Sequence, residues 1–322
     1  MGAADPLRRF PAWLQRSLAV IAAFITIPSA LVALVGQSES LWWPGALCCH
    51  WTLHAALGLV VGAVFWHRHR HTSRLCILLM FFALWPWLRS AFAARAPVAQ
   101  KSQLSVVWNN LYRFNNHRAE ALDLMRDSDA DLIGLTEVLP SDRAIVAQDP
   151  RWPHQVWTPR DGILACALLS RKPIVTQAVY DLDGTEVIAV VLDMGEQPLR
   201  VLVAHLTAPL NPAWSAIHDR QFAKLAELAN RQDLPTLVLG DFNTTPAARL
   251  WQPFLRLSGL QRPSGLTPAT WPAWSSPWPR CPGISIDHIL VRDGALAPLE
   301  TFWVPGSDHL GLKTIWAPVS RP

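Results

Sequence analysis

Three long apolar segments lie in the first hundred residues, and they restrict the possible fold more than any other feature. They are Ser17–Val35, Ala46–Trp66 and Leu75–Ala94, the third of which is interrupted at Pro86 and Arg89. Each is close to the ~20 residues that a helix needs to cross a hydrocarbon core of about 30 Å. The first segment is longer than the core of a cleaved signal peptide, and two more follow it. We therefore predict a multi-pass membrane anchor with three transmembrane helices.

Basic residues flank these segments unevenly. Arg8, Arg9 and Arg16 precede the first segment, and Arg68, Arg70 and Arg74 separate the second from the third, whereas Gly36–Gly45 contains no Lys or Arg. Cytoplasmic loops carry an excess of Lys and Arg. The pattern predicts a cytoplasmic N-terminus, an inner-membrane location and a periplasmic domain after three crossings. Arg89, Arg95 and Lys101 reduce this asymmetry.

The charge of the chain is divided between its two parts. Eight arginines and two acidic residues precede Gln100, whereas 20 basic and 22 acidic residues follow it, so the pI near 9.0 reflects the membrane part. A domain that binds nucleic acid normally has its own positive field. The later part lacks that net excess, although a local basic patch is compatible with its composition.

The five cysteines form neither a zinc motif nor a disulfide ladder. Cys48, Cys49 and Cys76 lie in apolar segments and are interpreted as buried small side chains. Cys166 and Cys281 are the two cysteines of the later part, and whether they pair depends on a proximity that the sequence does not give.

Beyond Pro97 the pattern changes to short apolar runs that alternate with amphipathic segments. The predicted strands are Leu104–Trp108, Asp131–Leu135, Leu164–Leu169, Ile174–Tyr180, Val187–Leu192, Leu199–Ala204, Thr236–Leu239, Ile284–Val291 and Leu310–Trp316, and the predicted helices are Asn116–Arg126 and Trp214–Arg231. This order predicts an α/β fold in which two mixed sheets pack face to face with helices outside. We place the anchor at residues 1–96, a linker at 97–102 and a catalytic domain at 103–318.

Polar residues that bind metals or transfer protons stand at the ends of these strands, where open sheets commonly place their sites. They are Asn109 in SVVWNNL, Glu137 in DADLIGLTEV, His205 in VLVAHLTAP, Asp241 and Asn243 in LVLGDFNTTP, Asp287 in SIDHILV, and Asp308 and His309 in GSDHLGL. One such residue alone is usually a turn former. The complete series is stronger evidence for a single site.

In order and spacing, these motifs resemble the endonuclease/exonuclease/phosphatase superfamily over Gln103 to about Pro318. GDFN, IDHILV and SDH carry the resemblance, and CALLSRKPI is similar to a strand before the middle of that domain. The resemblance implies a four-layer α/β sandwich and a metal-dependent phosphoester hydrolase. Three spans before such a domain look like a membrane-anchored bacterial branch of the superfamily.

The resemblance also implies roles for the residues of the site. Attack on a phosphoester needs a hard cation, and Mg²⁺ prefers carboxylates and water. Glu137 is the first expected ligand of Mg²⁺ or Mn²⁺, and the family pattern adds Asn109 and Asp308.

The proton-transfer residues follow from the same pattern. His309 is expected to act as the base that activates water, with Asp287 fixing its tautomer. Asp241 and Asn243 are expected to hold the attacking water and a phosphoryl oxygen, and His205 to donate a hydrogen bond to the developing charge.

Three positions depart from the family pattern or need a separate interpretation. Thr136 stands where the family often has Gln before the metal-binding Glu. Neither Tyr112 nor Tyr180 stands where abasic-site nucleases use a Tyr, which argues against DNA repair. His288 should point to the face opposite Asp287, since adjacent strand residues alternate, and we expect it to be structural.

A segment rich in Trp and Pro precedes the IDHILV strand and contains Trp271, Trp274 and Trp278. Family position places this loop at the rim of the site. One interpretation is packing of rigid Trp-Pro units. The other is binding of lipid headgroups or an apolar substrate, because Trp favours membrane interfaces.

The sequence leaves two questions of function open. The first question is the substrate. A lipid-linked phosphoester suits the anchor and the nearly neutral domain, whereas nucleic acid suits the commonest activity of the superfamily. The alternative is a catalytically inert, membrane-tethered recognition or scaffold module of the same fold. No protein partner can be inferred.

Overall fold

A computed structural model describes residues 11–99, 103–195, 197–231, 233–273 and 283–319. Contacts divide the chain into two compact units. The first is Met1–Phe92 with Ala247–Arg249, and the second is Ala93–Pro246 with Leu250–Pro322.

Helices form the first unit. They are α1 (Ala12–Val35), α2 (Pro44–Cys48), α3 (Thr52–Phe65) and α4 (Arg70–Ala91), with a single 3-10 turn at Cys49–Trp51 between α2 and α3. Within the described residues, three helical stretches are long and apolar enough to cross a membrane, Ala12–Val35, Pro44–Phe65 and Arg70–Ala91. They overlap the three segments that the hydropathy pattern predicts.

Small residues allow α1 and α3 to approach closely. A Cβ atom added at Gly58 would lie 2.1 Å from Ser29 Oγ, and one added at Gly62 would lie 2.6 Å from Thr26 Oγ1. Close backbone approach at small residues is typical of helices that pack within lipid. Large apolar side chains such as Phe24 remain exposed on the outer faces of these helices.

Two mixed sheets form the second unit. Their strands are β1 (Leu104–Asn110), β2 (Leu132–Thr136), β3 (His154–Trp157), β4 (Cys166–Ser170), β5 (Ile174–Leu182), β6 (Thr185–Leu192), β7 (Leu199–His205), β8 (Thr236–Asp241), β9 (Asp287–Arg292), β10 (Gly294–Leu296), β11 (Glu300–Phe302) and β12 (Gly311–Pro318). In the described residues, one sheet has the order β10-β12-β1-β2-β4-β3 with β11 beside β12, and the other has the order β5-β6-β7-β8-β9. Strands β1 and β2 are parallel, as are β7 and β8, and the other pairs are antiparallel.

The helices of this unit are α5 (Arg118–Asp127), α6 (Pro140–Val146), α7 (Pro212–Asn230) and α8 (Trp251–Ser258). Local sequence explains where two of them begin or end. Asn211 accepts a hydrogen bond from the Trp214 N–H and Pro212 takes the first helical position, so α7 begins there. Gly259, with φ +68°, ends α8 in a left-handed conformation that favours glycine.

Three buried apolar clusters separate four layers. Trp108 and Leu132 of one sheet pack against Val203 and Leu239 of the other, which fills the space between the sheets. Helices α7 and α8 cover the outer face of the five-stranded sheet, and α5 covers that of the other. The predicted four-layer α/β sandwich is confirmed. The sequence analysis missed α6, α8, β3, β10 and β11, since such short elements have too few residues to show a periodicity.

The strand register places polar residues side by side at one edge of the sandwich. His205 pairs with Asp241 across the parallel strands β7 and β8, and Asp241 pairs with Asp287 across β8 and β9. Residues opposite each other on neighbouring strands project from the same face. The edge where β7 and β8 end therefore brings together three residues that lie far apart in sequence.

Candidate active site

Asp287 lies at the base of the site and is fully buried. Its Oδ2 accepts a hydrogen bond from His309 Nδ1 at 2.8 Å, and its Oδ1 accepts one from Trp108 Nε1 at 3.0 Å. Burial alone would raise the pKa of Asp287, but His309 and these donors outweigh it and lower the pKa. Asp287 is thus held as a carboxylate that fixes the orientation of the His309 ring.

His309 faces carboxylates on several sides. Its Nε2 lies 3.7 Å from Asp241 Oδ2 and 3.9 Å from Asp308 Oδ1, in addition to the Asp287 contact at Nδ1. Burial alone would lower the pKa of the imidazole, but Asp287, Asp241 and Asp308 together raise it to about 10. These carboxylates therefore favour the protonated ring, whose Nδ1–H points toward Asp287 and away from the open side of the site.

Asn110 connects the two sheets through its side-chain amide. The Nδ2 group donates to Glu137 Oε1 at 3.0 Å and to Asp241 Oδ2 at 3.1 Å, and it lies 3.5 Å from His309 Nε2. The amide oxygen accepts the Tyr112 N–H at 2.9 Å. Asn110 thus holds Glu137, the expected metal ligand, beside the carboxylate of Asp241.

The neighbouring Asn109, the metal ligand expected from the sequence, is not part of this network. The side chain of Asn109 is fully buried, and neither its nitrogen nor its oxygen has a hydrogen-bond partner among the described residues. Alternation along β1 puts Asn110 on the face of Trp108, between the sheets, and Asn109 on the face of Val107 and Leu111, under the helices.

Glu137 follows β2 directly and adopts a left-handed backbone conformation, with φ +56°. Such a conformation costs about 1–3 kcal/mol for a residue other than glycine, so surrounding contacts must impose it. Arg118 supplies them, because its Nη2 donates to the Glu137 carbonyl while the same guanidinium pairs with buried Asp142. The Arg113 N–H donates to Glu137 Oε2 at 2.6 Å. The carboxylate of Glu137 is therefore fixed by Asn110 at Oε1 and by the Arg113 N–H at Oε2.

Asp241 lies between His205 and His309. Its Oδ2 is 3.5 Å from His205 Nε2, and its Oδ1 accepts the Asn243 N–H at 2.9 Å. Burial, reinforced by the charge of Asp287, raises the pKa of Asp241 to about 6, although His205 and His309 oppose the rise. Asp241 is consequently a stronger base than an ordinary carboxylate and is still ionised at neutral pH.

Asn243 and His205 contact each other on the far side of Asp241. Asn243 Nδ2 donates to the Leu206 carbonyl at 2.8 Å and lies 3.4 Å from His205 Nε2. His205 Nδ1 lies 2.9 Å from the Ile163 carbonyl, which can only accept, so Nδ1 carries a proton. His205 Nε2 therefore faces the site.

Asp308 lies at the more exposed side of the site. Trp271 Nε1 donates to Asp308 Oδ2 at 3.1 Å, and Asp308 Oδ1 is buried without a hydrogen-bond partner among the described residues. Burial raises the pKa of this carboxyl. Trp271, for which substrate binding is a prediction from the sequence, contacts Asp308. Trp274, Trp278 and Cys281 lie outside the described residues.

The donor set fits a divalent cation with hard oxygen ligands. Glu137 and Asp308 both present carboxylates to the site, and Oδ1 of Asp308 is buried with no hydrogen-bond partner among the described residues. Asp241, Asp287 and His309 also lie within 4.8 Å of one another. The hydrogen bond from His309 to Asp287 accounts for the proximity of those two, so we consider the side of Glu137 and Asp308 the better cation site.

Several residues of the site were not found from sequence. Trp108 and Thr270 bond to Asp287, and Ser307 donates to the Asn110 carbonyl at 2.6 Å while accepting the His309 N–H at 3.0 Å. In the sequence these residues appear as ordinary strand or loop positions. His288 is buried beside Phe242 and Trp251, on the face opposite Asp287, which is the position that the sequence predicts.

The family of the chain can now be stated. A model of the Endonuclease/Exonuclease/phosphatase family matches residues 108–309, and the chain belongs to this family. Members of the family are hydrolytic phosphoesterases that generally use divalent metals. A comparison with curated protein sequences finds no match.

Solved structures with the same fold share little sequence with this chain. A functionally unknown conserved protein from Enterococcus faecalis is 17% identical, with a TM-score of 0.57, over 67% of this chain and 100% of that one. The 3' phosphatase NExo from Neisseria, bound to a product DNA hairpin, is 19% identical, with a TM-score of 0.54, over 66% and 99%. Sphingomyelinase C from Streptomyces griseocarneus is 16% identical, with a TM-score of 0.51, over 67% and 99%. At such identities the likeness establishes the fold.

The two adjacent asparagines provide a direct test of the site geometry. We expect Asn110→Ala to weaken Mn²⁺ binding by about 10-fold or more, because Glu137 and Asp241 lose the amide that orients them. Asn109→Ala, the matched control, should leave the affinity unchanged. Calorimetric titration of the full chain in detergent measures both. Equal affinities of the two variants, or a larger loss in Asn109→Ala, would contradict the arrangement.

Proposed function

We propose that this chain is a membrane-anchored, divalent-metal-dependent phosphoester hydrolase that acts by metal-assisted attack of water. The observation that carries the proposal is the series of contacts from Asp287 through His309 to Asp241, Asn110 and Glu137. Its steps are hydrogen bonds except the one from His309 Nε2 to Asp241 Oδ2, which is an ion-pair contact at 3.7 Å. A scaffold module has no need to keep a carboxylate, an oriented imidazole and a ligand set together. The family's hydrolytic chemistry agrees with this proposal.

Glu137 would hold Mg²⁺ or Mn²⁺ together with Asp308, and Asn110 takes the place that the sequence analysis gave to Asn109. When bound, the cation would neutralise charge on the phosphoryl oxygens and, by repulsion, lower the high pKa of His309 toward the range of a base at neutral pH. Asn110 and the Arg113 N–H hold the Glu137 carboxylate in place while Arg118 holds its backbone carbonyl, and these contacts reduce the reorganisation that binding requires.

His309 and Asp287 would handle the proton of the attacking water. With Nδ1–H bonded to Asp287, Nε2 faces Asp241 and the open side of the site. Nε2 would accept the proton from water, and the charge of Asp287 would stabilise the imidazolium that forms. Trp108 keeps Asp287 from rotating away.

Asp241, Asn243 and His205 would form the opposite wall of the reaction site. Asp241 and Asn243 would hold the attacking water and a phosphoryl oxygen, and His205 Nε2 faces the same space. A protonated His205 would donate a hydrogen bond to the charge that develops in the transition state.

Two isosteric variants test the catalytic assignment. We expect Glu137→Gln and His309→Asn to lower kcat on bis(p-nitrophenyl) phosphate by about 100-fold or more, because one loses a metal-binding charge and the other a general base. Glu300→Gln and His154→Asn are matched controls and should retain full activity, since both residues lie away from the site. The assay uses the full chain in detergent with Mg²⁺ or Mn²⁺. Unchanged activity of the first pair would reject the proposal and favour the inert scaffold.

We infer that the substrate is a phosphoester carried by a lipid. Three loops that leave the site expose large apolar side chains, Phe114 at 68%, Ile163 at 52% and Leu210 at 54%. Arg113 N–H bonds Glu137 in the first loop, and the Ile163 carbonyl bonds His205 in the second. Exposed apolar groups around a site suit an apolar substrate. The nearly neutral charge after Gln100 gives less support to nucleic acid.

Hydrolysis assays on lipid vesicles and on DNA distinguish the two candidate substrates. Reconstituted in vesicles of phosphatidylethanolamine and phosphatidylglycerol, the full chain should release phosphorylated headgroups, and Phe114→Ser with Ile163→Ser should slow that release by about 10-fold because apolar contact area is lost. Val175→Ser, an exposed apolar position on β5, is the control. Cleavage of DNA instead, falling steeply as NaCl rises, would overturn the lipid assignment.

The location proposed is the inner membrane, with the catalytic unit in the periplasm. Support comes from the three apolar helical stretches and from the arginines before the first of them and between the second and third. A lipid-linked substrate on the outer leaflet would be within reach of a domain tethered in this way.

Fusion of a reporter to the C-terminus tests the orientation. In a bacterial host, alkaline phosphatase fused after Pro322 should be active, because three crossings from a cytoplasmic N-terminus put this end outside the cytoplasm. A green fluorescent protein fused at the same position should be dark. Bright cytoplasmic fluorescence with an inactive phosphatase would reverse the proposed topology.

A further inference from the structure

Strand β8 ends at Asp241, which is still paired, and the segment that follows carries Asn243 into the site. The Phe242 N–H still bonds to the Ile286 carbonyl at 2.9 Å, but Asn243 has a left-handed backbone with φ +49°. For a residue other than glycine this conformation costs about 1–3 kcal/mol. Contacts outside the strand ladder must therefore hold the segment.

Two buried imidazoles bond to the carbonyl groups on either side of Asn243. His218 Nε2, from α7, lies 3.1 Å from the Phe242 carbonyl and 2.8 Å from Thr244 Oγ1. His288 Nε2, from β9, lies 2.7 Å from the Thr244 carbonyl. A carbonyl oxygen only accepts, so each Nε2 carries the proton and donates it.

These histidines approach the segment from behind the site. The His288 ring packs on Trp251 and Phe242, with centroids 4.4 Å and 5.4 Å away, and the His218 ring packs on Phe222 at 5.2 Å. Asp287, the neighbour of His288 in β9, projects from the opposite face toward His309. Both imidazoles thus contact the backbone of the segment rather than the space where a substrate would bind.

We propose that His218 and His288 are positioning residues, which fix the side chain of Asn243 by holding the peptide carbonyls before and after it. The inference rests on the proposed function. A buried carbonyl that loses its donor is left unsatisfied, and rotation of the adjoining peptide would relieve it. That rotation would move Asn243 Nδ2 from the Leu206 carbonyl, 2.8 Å away, and from His205. The side chain would then no longer meet the phosphoryl group.

Variants that keep or remove the donor test the idea. Gln can offer an N–H near the position of His Nε2, whereas Phe keeps a ring without a donor. We expect His288→Phe and His218→Phe to lower kcat on bis(p-nitrophenyl) phosphate by about 10-fold or more, with KM changed by less than about 3-fold, since small displacements of reacting groups have large effects on rate. His288→Gln and His218→Gln should recover most of the activity. Thr314→Val removes a buried hydrogen bond to the Ala297 carbonyl elsewhere and serves as the control for stability.

A double-mutant cycle identifies the residue through which the histidines act. In an Asn243→Ala background, His288→Phe should reduce kcat by less than about 2-fold, because the side chain being positioned is already absent. Additive losses would overturn the proposal. So would loss of stability with an unchanged kcat in the single variants.

Hydrogen exchange separates failure of this inference from failure of the proposed function. Mass spectrometry of the full chain in detergent should show faster amide exchange over residues 242–245 in His288→Phe and His218→Phe, but not in Thr314→Val. Unchanged exchange there would overturn the positioning role even in an active enzyme. If the wild-type chain hydrolyses no phosphoester, the proposed function is rejected together with the catalytic role of these histidines, and the exchange data then show only whether they hold the segment.

Discussion

Two buried carboxylates, Asp241 and Asp287, are the constraint on which the remainder of the catalytic unit depends. Removing a carboxylate from water is strongly unfavourable unless hydrogen bonds and opposite charges replace the water. Asp287 receives full compensation from His309 and Trp108, and its pKa is lowered. Asp241 receives only partial compensation, so its pKa rises to about 6. The two neighbouring carboxylates therefore differ in pKa, because their environments are unequal. This difference allows them to have different chemical roles.

Contacts from behind the site hold two residues in strained backbone conformations. Glu137 directly follows β2 and Asn243 lies two residues after the end of β8, and both have left-handed backbones. Each of these strands belongs to a parallel pair, one in each sheet. Arg118 holds the first through its carbonyl, and His218 and His288 contact the carbonyls around the second. These donors lie away from the reacting groups. In the proposed function, side chains held in this way through backbone carbonyls would need less reorganisation at the moment of reaction.

The two units divide the proposed function between them. Apolar helices with close glycine contacts suit a lipid environment, and the sandwich supplies a buried polar site of the family's hydrolytic type. The lipid-linked substrate that we propose rests on the exposed apolar side chains of the loops around the site and on the absence of a net positive charge after Gln100.

The sequence by itself determined the layers of the fold and most of the site. Periodicity located the longer strands and helices, and residues such as His205, Asp241, Asp287 and His309 were found because their motifs keep a fixed order along the chain. Tertiary structure alone decided between Asn109 and Asn110, since either could face the site until the register of β1 against β2 and β12 was known. It also decided that Trp108 contacts Asp287 and that His288 contacts the Thr244 carbonyl, because a contact between residues that are far apart in sequence depends on which strands are neighbours, and no local pattern records that pairing.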